Sequence, residues 1–348
     1  MFESIKAPGT NLCYNHYPIF KPAETFVFIC TYINFVIGDL IIDFLLVTSD
    51  RSEMNRKQFL GTLIAGVAGM STIKLKSFGN MANDLPNRDF TMPVLFMGHG
   101  SPMNGIEDNE FTKGWERIAK EIPTPAAVLC ISAHWLTRGT HVTAMNNPKT
   151  IHDFGGFPQE LFAVQYPAPG DPTLAAETTN LIQSTQVGLD HEWGLDHGCW
   201  TVVRKMYPDA NIPVIQLSID YNKPPQYHYE IAKELAALRK KGVLIMGSGN
   251  MVHNLRMVDW AHMNTPDYGF DWAKTINEKF KTHINSKTHK DLINYMNLGP
   301  EAKLAIPTPD HYYPMLYSLG LQSDKDEVDI FNDKYVAGSL TMTSLRIG

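Results

Sequence analysis

Cysteine is scarce in this chain, and its placement excludes more than its number. Cys13, Cys30, Cys130 and Cys199 lie far apart with no C-x-x-C pair, which rules out a zinc ribbon and a disulfide-dense scaffold. Cys130 falls inside an apolar run, where a small buried hydrophobe is the simpler reading. Charge is thin as well, at 19% of residues, and a net charge of −6 provides no basic footprint for nucleic acid. After about residue 90 there is no run of like charges, no low-complexity tract and no internal repeat. No G-x-G-x-x-G follows a strand-like run, and no Walker lysine is found. The nucleophile elbow G-x-S-x-G is missing too, because GHGSP has the wrong order and GSGN lacks a glycine two places after Ser248. Hydrophobic residues are plentiful, at 44% of 348. That is a soluble globular composition with a sizeable core, in one large or two ordinary domains.

The first ninety residues differ from the remainder. TFVFICTYINFVIGDLIIDFLLV is long and apolar, but Asp39 and Asp43 interrupt it, and charges at that depth argue against a clean membrane span. MNRKQFLGTLIAGVAGMS, from Met54, combines a basic pair (Arg56, Lys57) with a short apolar run ending in small residues. That is the layout of an export signal, with RKQFL resembling the twin-arginine pattern. An amphipathic helix packed on the domain is the alternative. The expectation is that Met54 is the biological start and that residues 1–53 are an upstream extension. Residues 54–91 are then a signal-like segment and linker, and a catalytic domain spans 92–348. The signal-like stretch at 54–70 implies export to the periplasm; without it the protein is cytoplasmic.

From Met92 onward strands and helices alternate. Short apolar runs at 93–97, 126–132, 212–219 and 242–247 suit strands of a sheet buried on both faces. Residues 109–121 gather Phe111, Trp115, Ile118 and Ala119 on one helical face. Asp171-Pro172 caps and opens a helix through about Ile182, and 226–240 forms another with Gly242 as its stop. The pattern predicts an α/β fold: a single layered domain with a central mostly parallel or mixed sheet and helices on both faces. The long Gly-, Pro- and aromatic-rich segment 146–170 favours a functional lid.

Histidine is abundant, at thirteen residues, and several occupy unusual places. Three strands each release one just past the carboxyl end: His99 in GHG, His134 in SAHW and His253 in SGNMVHN. That edge of an open α/β sheet is where ligands bind, and neutral imidazole is the commonest protein metal ligand. His197 lies beside a glycine in DHGCW, and His311 in a proline-bounded turn, TPDHYYP. His152 precedes a Gly-Gly pair in IHDFGGFP. His16, His141, His191, His228, His262, His283 and His289 read as surface residues. Several imidazoles with few obligatory carboxylates suit one divalent metal per chain, Zn(II) or Fe(II).

Taken together, GHGSPMN (98–104), SAHW (132–135), IHDFGGFP (151–158), YPAPG (166–170), DHGCW (196–200), SGNMVHNLR (248–256) and TPDHYYP (308–314) resemble the DOPA-type class III extradiol ring-cleaving dioxygenases. The resemblance runs in order over roughly residues 92–348 and does not cover 1–90. It implies a single α/β domain related to the catalytic subunit of protocatechuate 4,5-dioxygenase. It also implies that His99, His134 and His311 hold the metal. His253 would sit beside it as acid/base, or as a further ligand in a zinc-loaded form, and His197 would line the pocket and hydrogen-bond substrate or oxygen. Related enzymes use two histidines and a carboxylate, whereas the third position here matches His311; Asp310 is the carboxylate available if the match is displaced by one residue.

The reading that follows is an extradiol dioxygenase acting on a small-molecule catechol such as DOPA, with dioxygen as co-substrate. No nucleic acid and no stable membrane insertion of the catalytic domain are expected. His253 removes a catechol proton, and His253 or His197 returns one. Trp135, His152, Phe154, Phe157 and Tyr312 are the candidates around the substrate ring. The rivals are a zinc-dependent hydrolase on the same histidines and a non-catalytic binding protein of the same fold. Dependence on Fe(II) and dioxygen separates them.

Overall fold

The computed structural model describes residues 85–348. The expected upstream extension (1–53), the signal-like segment (54–70) and most of the linker lie outside the described residues. The end of that linker already belongs to the domain's packing. Leu85 lies against the core, the Arg88 N–H donates to the Lys240 carbonyl at 2.7 Å, and the Met92 N–H donates to Arg239 at 2.9 Å. Among the described residues no helix is long and apolar enough to cross a membrane.

Six strands build the central sheet: β1 (Val94–Gly98), β2 (Ala127–Ser132), β3 (Val214–Gln216), β4 (Val243–Gly249), β5 (Val328–Phe331) and β6 (Ser344–Ile347). Their order is β3-β2-β4-β1-β6-β5. The first four strands run parallel, whereas β6 is antiparallel to both β1 and β5. The sheet is therefore mixed. Successive side chains of a strand point to opposite faces. Val94, Phe96, Leu129, Ile131 and Ile245 enter one core; Leu95, Met97, Val128, Cys130 and Met246 enter the other. Burial on both sides explains why these strands read as unbroken apolar runs.

Helices cover both faces. α1 (Glu110–Glu121) and α2 (His197–Met206) bring Trp115, Ile118, Trp200 and Val203 to the second core. α3 (Pro225–Lys233), α4 (Asp271–Asn285) and α5 (Tyr313–Gly320) close the first with Ile231, Phe280 and Leu316. The helix opened by Asp171-Pro172 ends at Leu181, with the Asp171 carboxylate accepting from the Leu174 N–H.

Two expected elements break. The run 212–219 leaves the main sheet after Gln216, because the Ser218 N–H turns to the His141 carbonyl and Ile219–Asp220 pairs with Leu136–Thr137. The helix expected over 226–240 divides at Glu234–Leu235. The tightened turn there lets Leu235, Leu238 and Arg239 all face inward.

Two histidines expected at the surface are buried. Nδ1 of His228 lies 3.1 Å from the Tyr317 hydroxyl, and its ring stacks on Tyr313 at 4.2 Å. Nδ1 of His289 lies 3.0 Å from the Tyr229 hydroxyl. Each sits where helices pack, and an amphipathic ring with a hydroxyl partner is tolerated there.

Candidate active site

The register of the parallel strands fixes the site. Gly98 lies opposite Gly249, and Ser132 opposite Ser248, so β1, β2 and β4 end level with one another. The alignment continues one residue further, with the His99 N–H donating to Gly249 at 3.1 Å and the Ala133 N–H to Ser248 at 3.0 Å. Two glycines keep this edge tight. A Cβ on Gly98 would lie 2.5 Å from the Met342 carbonyl oxygen, and one on Gly249 would lie 2.1 Å from that of His311. The second contact is how a segment distant in sequence reaches the strand ends, and the Asn250 N–H secures it by donating to the same carbonyl at 2.9 Å. His197 arrives as the first residue of α2. The Asp196 carboxylate caps that helix at the Cys199 N–H and accepts from Ser132 Oγ at 2.6 Å, from Gln216 Nε2 at 2.9 Å and from Trp193 Nε1 at 3.3 Å. Burial raises its carboxyl, and the neighbouring Asp153 charge adds to that effect.

All five histidines singled out in the sequence converge. Ring centroids are 5.0 Å apart for His99 and His134, 5.2 Å for His99 and His311, and 5.0 Å for His134 and His311. His197 lies 3.8 Å from His134, and His253 stacks on His311 at 3.6 Å with 7° between the planes. One ligand atom each from His99, His134 and His197 falls within 4.8 Å of the others, and the same holds for His253, Asp310 and His311.

Hydrogen bonding indicates which nitrogens face inward. Ser248 Oγ donates to the Gly198 carbonyl, so it accepts from His99 Nδ1, 3.1 Å away, and His99 Nε2 carries no proton. The Asp310 carboxylate accepts from His311 Nδ1, which leaves His311 Nε2 bare in the same way. Nε2 of His134 stands 3.1 Å from Nε2 of His99. A proton on His134 Nε2 makes this an N–H···N hydrogen bond to the bare His99 nitrogen, and a cation between two bare nitrogens would replace it. Nitrogens bound tetrahedrally at 2.0–2.1 Å would sit about 3.3 Å apart, with ring centroids about 5 Å apart. The ring spacings of His99, His134 and His311 match that geometry, and the ligand atoms of His99, His134 and His197 group within 4.8 Å as well.

The electrostatics agree. Burial, then the neighbouring imidazoles, hold His99 and His134 well below the usual histidine range. The same causes push His253 down to about 3. His99, His134 and His253 are thus neutral lone-pair donors. Two carboxylates flank it. Burial raises both, but hydrogen bonds from His197 to Asp153 and from His311 to Asp310 outweigh it, so both are held below the usual carboxylate range.

The expected aromatic surround divides three ways. Phe154 meets His197 edge-on at 5.6 Å and Phe157 at 5.5 Å, so these two form a wall beside the histidines. His152 supports that wall from behind, packing on Phe154, Phe162 and Trp200 with Nε2 directed at the Val164 carbonyl. Trp135 is buried and stacks on Trp193 at 5.9 Å. Tyr312 is a correction: it points away into the first core, against Phe280 and Tyr295, with its hydroxyl donating to the Leu292 carbonyl. The sequence reading missed Asp153 and Ser248 as partners of the histidine rings. Neither has a local signal, since their contacts span 44 and 149 residues.

A buried histidine cluster at the carboxyl edge of a parallel sheet, beside an aromatic wall, defines a metal-site enzyme of the α/β class. The chain belongs to the family described as the catalytic LigB subunit of aromatic ring-opening dioxygenase, which matches residues 93–346. It is 46% identical over 272 residues to the 4,5-DOPA dioxygenase extradiol of Escherichia coli K12, a match covering 77% of this chain and 99% of that one. It is 32% identical over 271 residues to the 4,5-DOPA dioxygenase extradiol of Beta vulgaris, covering 75% and 98%. The crystal structure of an uncharacterized protein from Escherichia coli K12 superposes with a TM-score of 0.64 at 43% identity, over 74% of this chain and all of that one. This chain is accordingly an extradiol ring-cleaving dioxygenase, an oxidoreductase acting on a small aromatic molecule and oxygen, and its family implies a metal.

Proposed function

We propose that the enzyme opens the ring of DOPA or a DOPA-like catechol beside its diol, at one Fe(II) held by His99, His134 and His311. The observation that carries this reading is the convergence of the three rings, with centroids 5.0–5.2 Å apart and Nδ1 of His99 and His311 engaged by Ser248 and Asp310. The relatives named for 4,5-DOPA suggest the substrate class and the bond cleaved. An Fe(II) bound there would supply Lewis-acid activation of the diol and electron exchange with dioxygen.

The protein's own groups do the rest. His253, kept neutral by burial and clamped flat on His311, is the acceptor for a diol proton. An anionic diolate beside it favours the imidazolium and offsets part of the downward shift. His197, with Nδ1 committed to Asp153 at 2.9 Å, offers its other nitrogen for taking up a proton and passing it back. Phe154 and Phe157 give the aromatic ring an apolar face and keep water from it. The test is anaerobic Fe(II) loading followed by oxygen-electrode and mass-spectrometric measurement with DOPA. The expected result is one dioxygen consumed per catechol, with both oxygen atoms in a ring-opened product that absorbs in the visible. No uptake with any catechol, together with hydrolysis by the zinc form, overturns the reading.

A further inference from the structure

The Asp153 carboxylate is placed unlike any other acid in the described residues. Oδ1 accepts from the backbone N–H of His197 at 2.9 Å, and Oδ2 lies 2.9 Å from His197 Nδ1. The same Oδ2 lies 3.4 Å from Nδ1 of His134. An ionised carboxylate only accepts hydrogen bonds, so Nδ1 of His197 must carry a proton, and in the neutral tautomer Nε2 is the bare nitrogen. The carboxylate thus also borders His134, whose Nε2 faces His99. Asp153 also precedes the aromatic wall directly. Phe154 follows it, and Cβ atoms added at Gly155 and Gly156 would meet nothing within 4 Å. The loop therefore has little packing of its own at that point, and the two-oxygen grip on His197 ties the wall to the histidines.

We infer that Asp153 is a positioning residue of the reaction, setting the ring tautomer of His197 and thereby which nitrogen it presents to metal and substrate. Its effect on turnover rests on the proposed function above; its effect on the tautomer does not. Carboxylates behind metal-facing histidines orient the ring and fix the tautomer in this way. A histidine held in the wrong tautomer loses its use as a proton carrier even where geometry is intact.

The deciding variant is Asp153→Asn. An amide has one acceptor face and one donor face for two N–H partners. The backbone N–H of His197 cannot change, whereas the ring can, so the amide oxygen stays with the backbone and its NH₂ faces Nδ1. His197 then moves its proton to Nε2. In zinc-loaded protein, nitrogen-15 imidazole spectra should report that change. In Fe(II)-loaded protein, kcat should fall about 100-fold or more while KM for the catechol stays within about threefold. Asp153→Glu, which restores an acceptor-only group, should recover at least about tenfold of the lost kcat. A kcat for Asp153→Asn within about threefold of wild type, or a loss of kcat with the His197 tautomer unchanged, overturns the inference. If Asp153→Asn does not fold, Asp153→Glu decides alone: retention of the Nδ1–H tautomer supports the role, and its loss at wild-type kcat refutes it. Failure of the wild-type enzyme to open any catechol would count against the proposed function, and the spectra would still decide the tautomer.

Discussion

At the scale of single residues, the five histidines divide by what their Nδ1 atoms touch. His99 and His311 have dedicated partners in Ser248 and Asp310, as the proposed ligand role requires; no ring hydrogen bond is found for His253 among the described residues. His99→Ala and His134→Ala should therefore lose metal and activity together. His253→Ala should keep close to one metal per chain by elemental analysis while kcat falls about 10²–10⁴-fold. A metal-free His253→Ala protein would make His253 a ligand. His228 supports a second expectation, away from the metal. Burial pushes it down to about 4 from a usual 6.5, so the folded state disfavours its proton. Its contribution to stability is complete above pH 6.5 and is lost as pH falls toward 4, by an amount on the order of 3 kcal/mol. Chemical denaturation across pH 4–7 should show that His228→Gln, which still offers Tyr317 a partner, loses less stability on acidification than wild type. Placement was legible where the signal was local, as with His99 between glycines just past the end of β1. It was not at His228, His289 and Tyr312, because inward or outward orientation depends on which helix packs opposite.

At the scale of elements, the sheet was legible because burial on both faces leaves runs such as VLFM and AVLCIS unbroken by polar residues. The breaks at 217–218 and 234–235 were not, because each arises when the backbone takes a partner remote in sequence. The glycines at strand ends carried a readable message of close approach, although not the identity of what approaches. Gly249 is the clearest case, with the His311 carbonyl against it. Gly249→Ala should force that turn outward, costing about 1–3 kcal/mol as overpacking does and weakening metal binding through His311. Gly155→Ala, where a Cβ meets nothing within 4 Å, should stay within about 0.5 kcal/mol of wild type. Thermal scans and metal titrations on the pair would test both. Equal effects would mean that the strand-end contact does not hold His311 in place.

At the scale of the whole molecule, the site belongs to no single element. His99, His134 and His253 come from the ends of three strands; His197 comes from the start of a helix, and His311 from a turn clamped against β4. Only the complete sheet brings them to one point, so an unfolded chain cannot offer the same set of nitrogens. Fold class and the list of histidines could be read from sequence for this reason: spacing marks the strand ends, and strand ends of a parallel sheet share an edge. The carboxylate and hydroxyl behind them could not, since Asp153 and Ser248 find their rings only after the chain has closed. The same dependence couples metal to stability. A ligand that binds only the folded state stabilises it by about 2.7 kcal/mol at one hundred times its Kd. For a domain of this size that corresponds to a rise of about 5–10 °C in Tm. Calorimetry with Fe(II) or Zn(II) added under anaerobic conditions should show such a rise, reversed by a chelator. His311→Ala should abolish most of it, although His311 is remote in sequence from His99 and His134. A full rise in that variant would assign the third ligand to His197, whose ring nitrogen lies within 4.8 Å of those of His99 and His134.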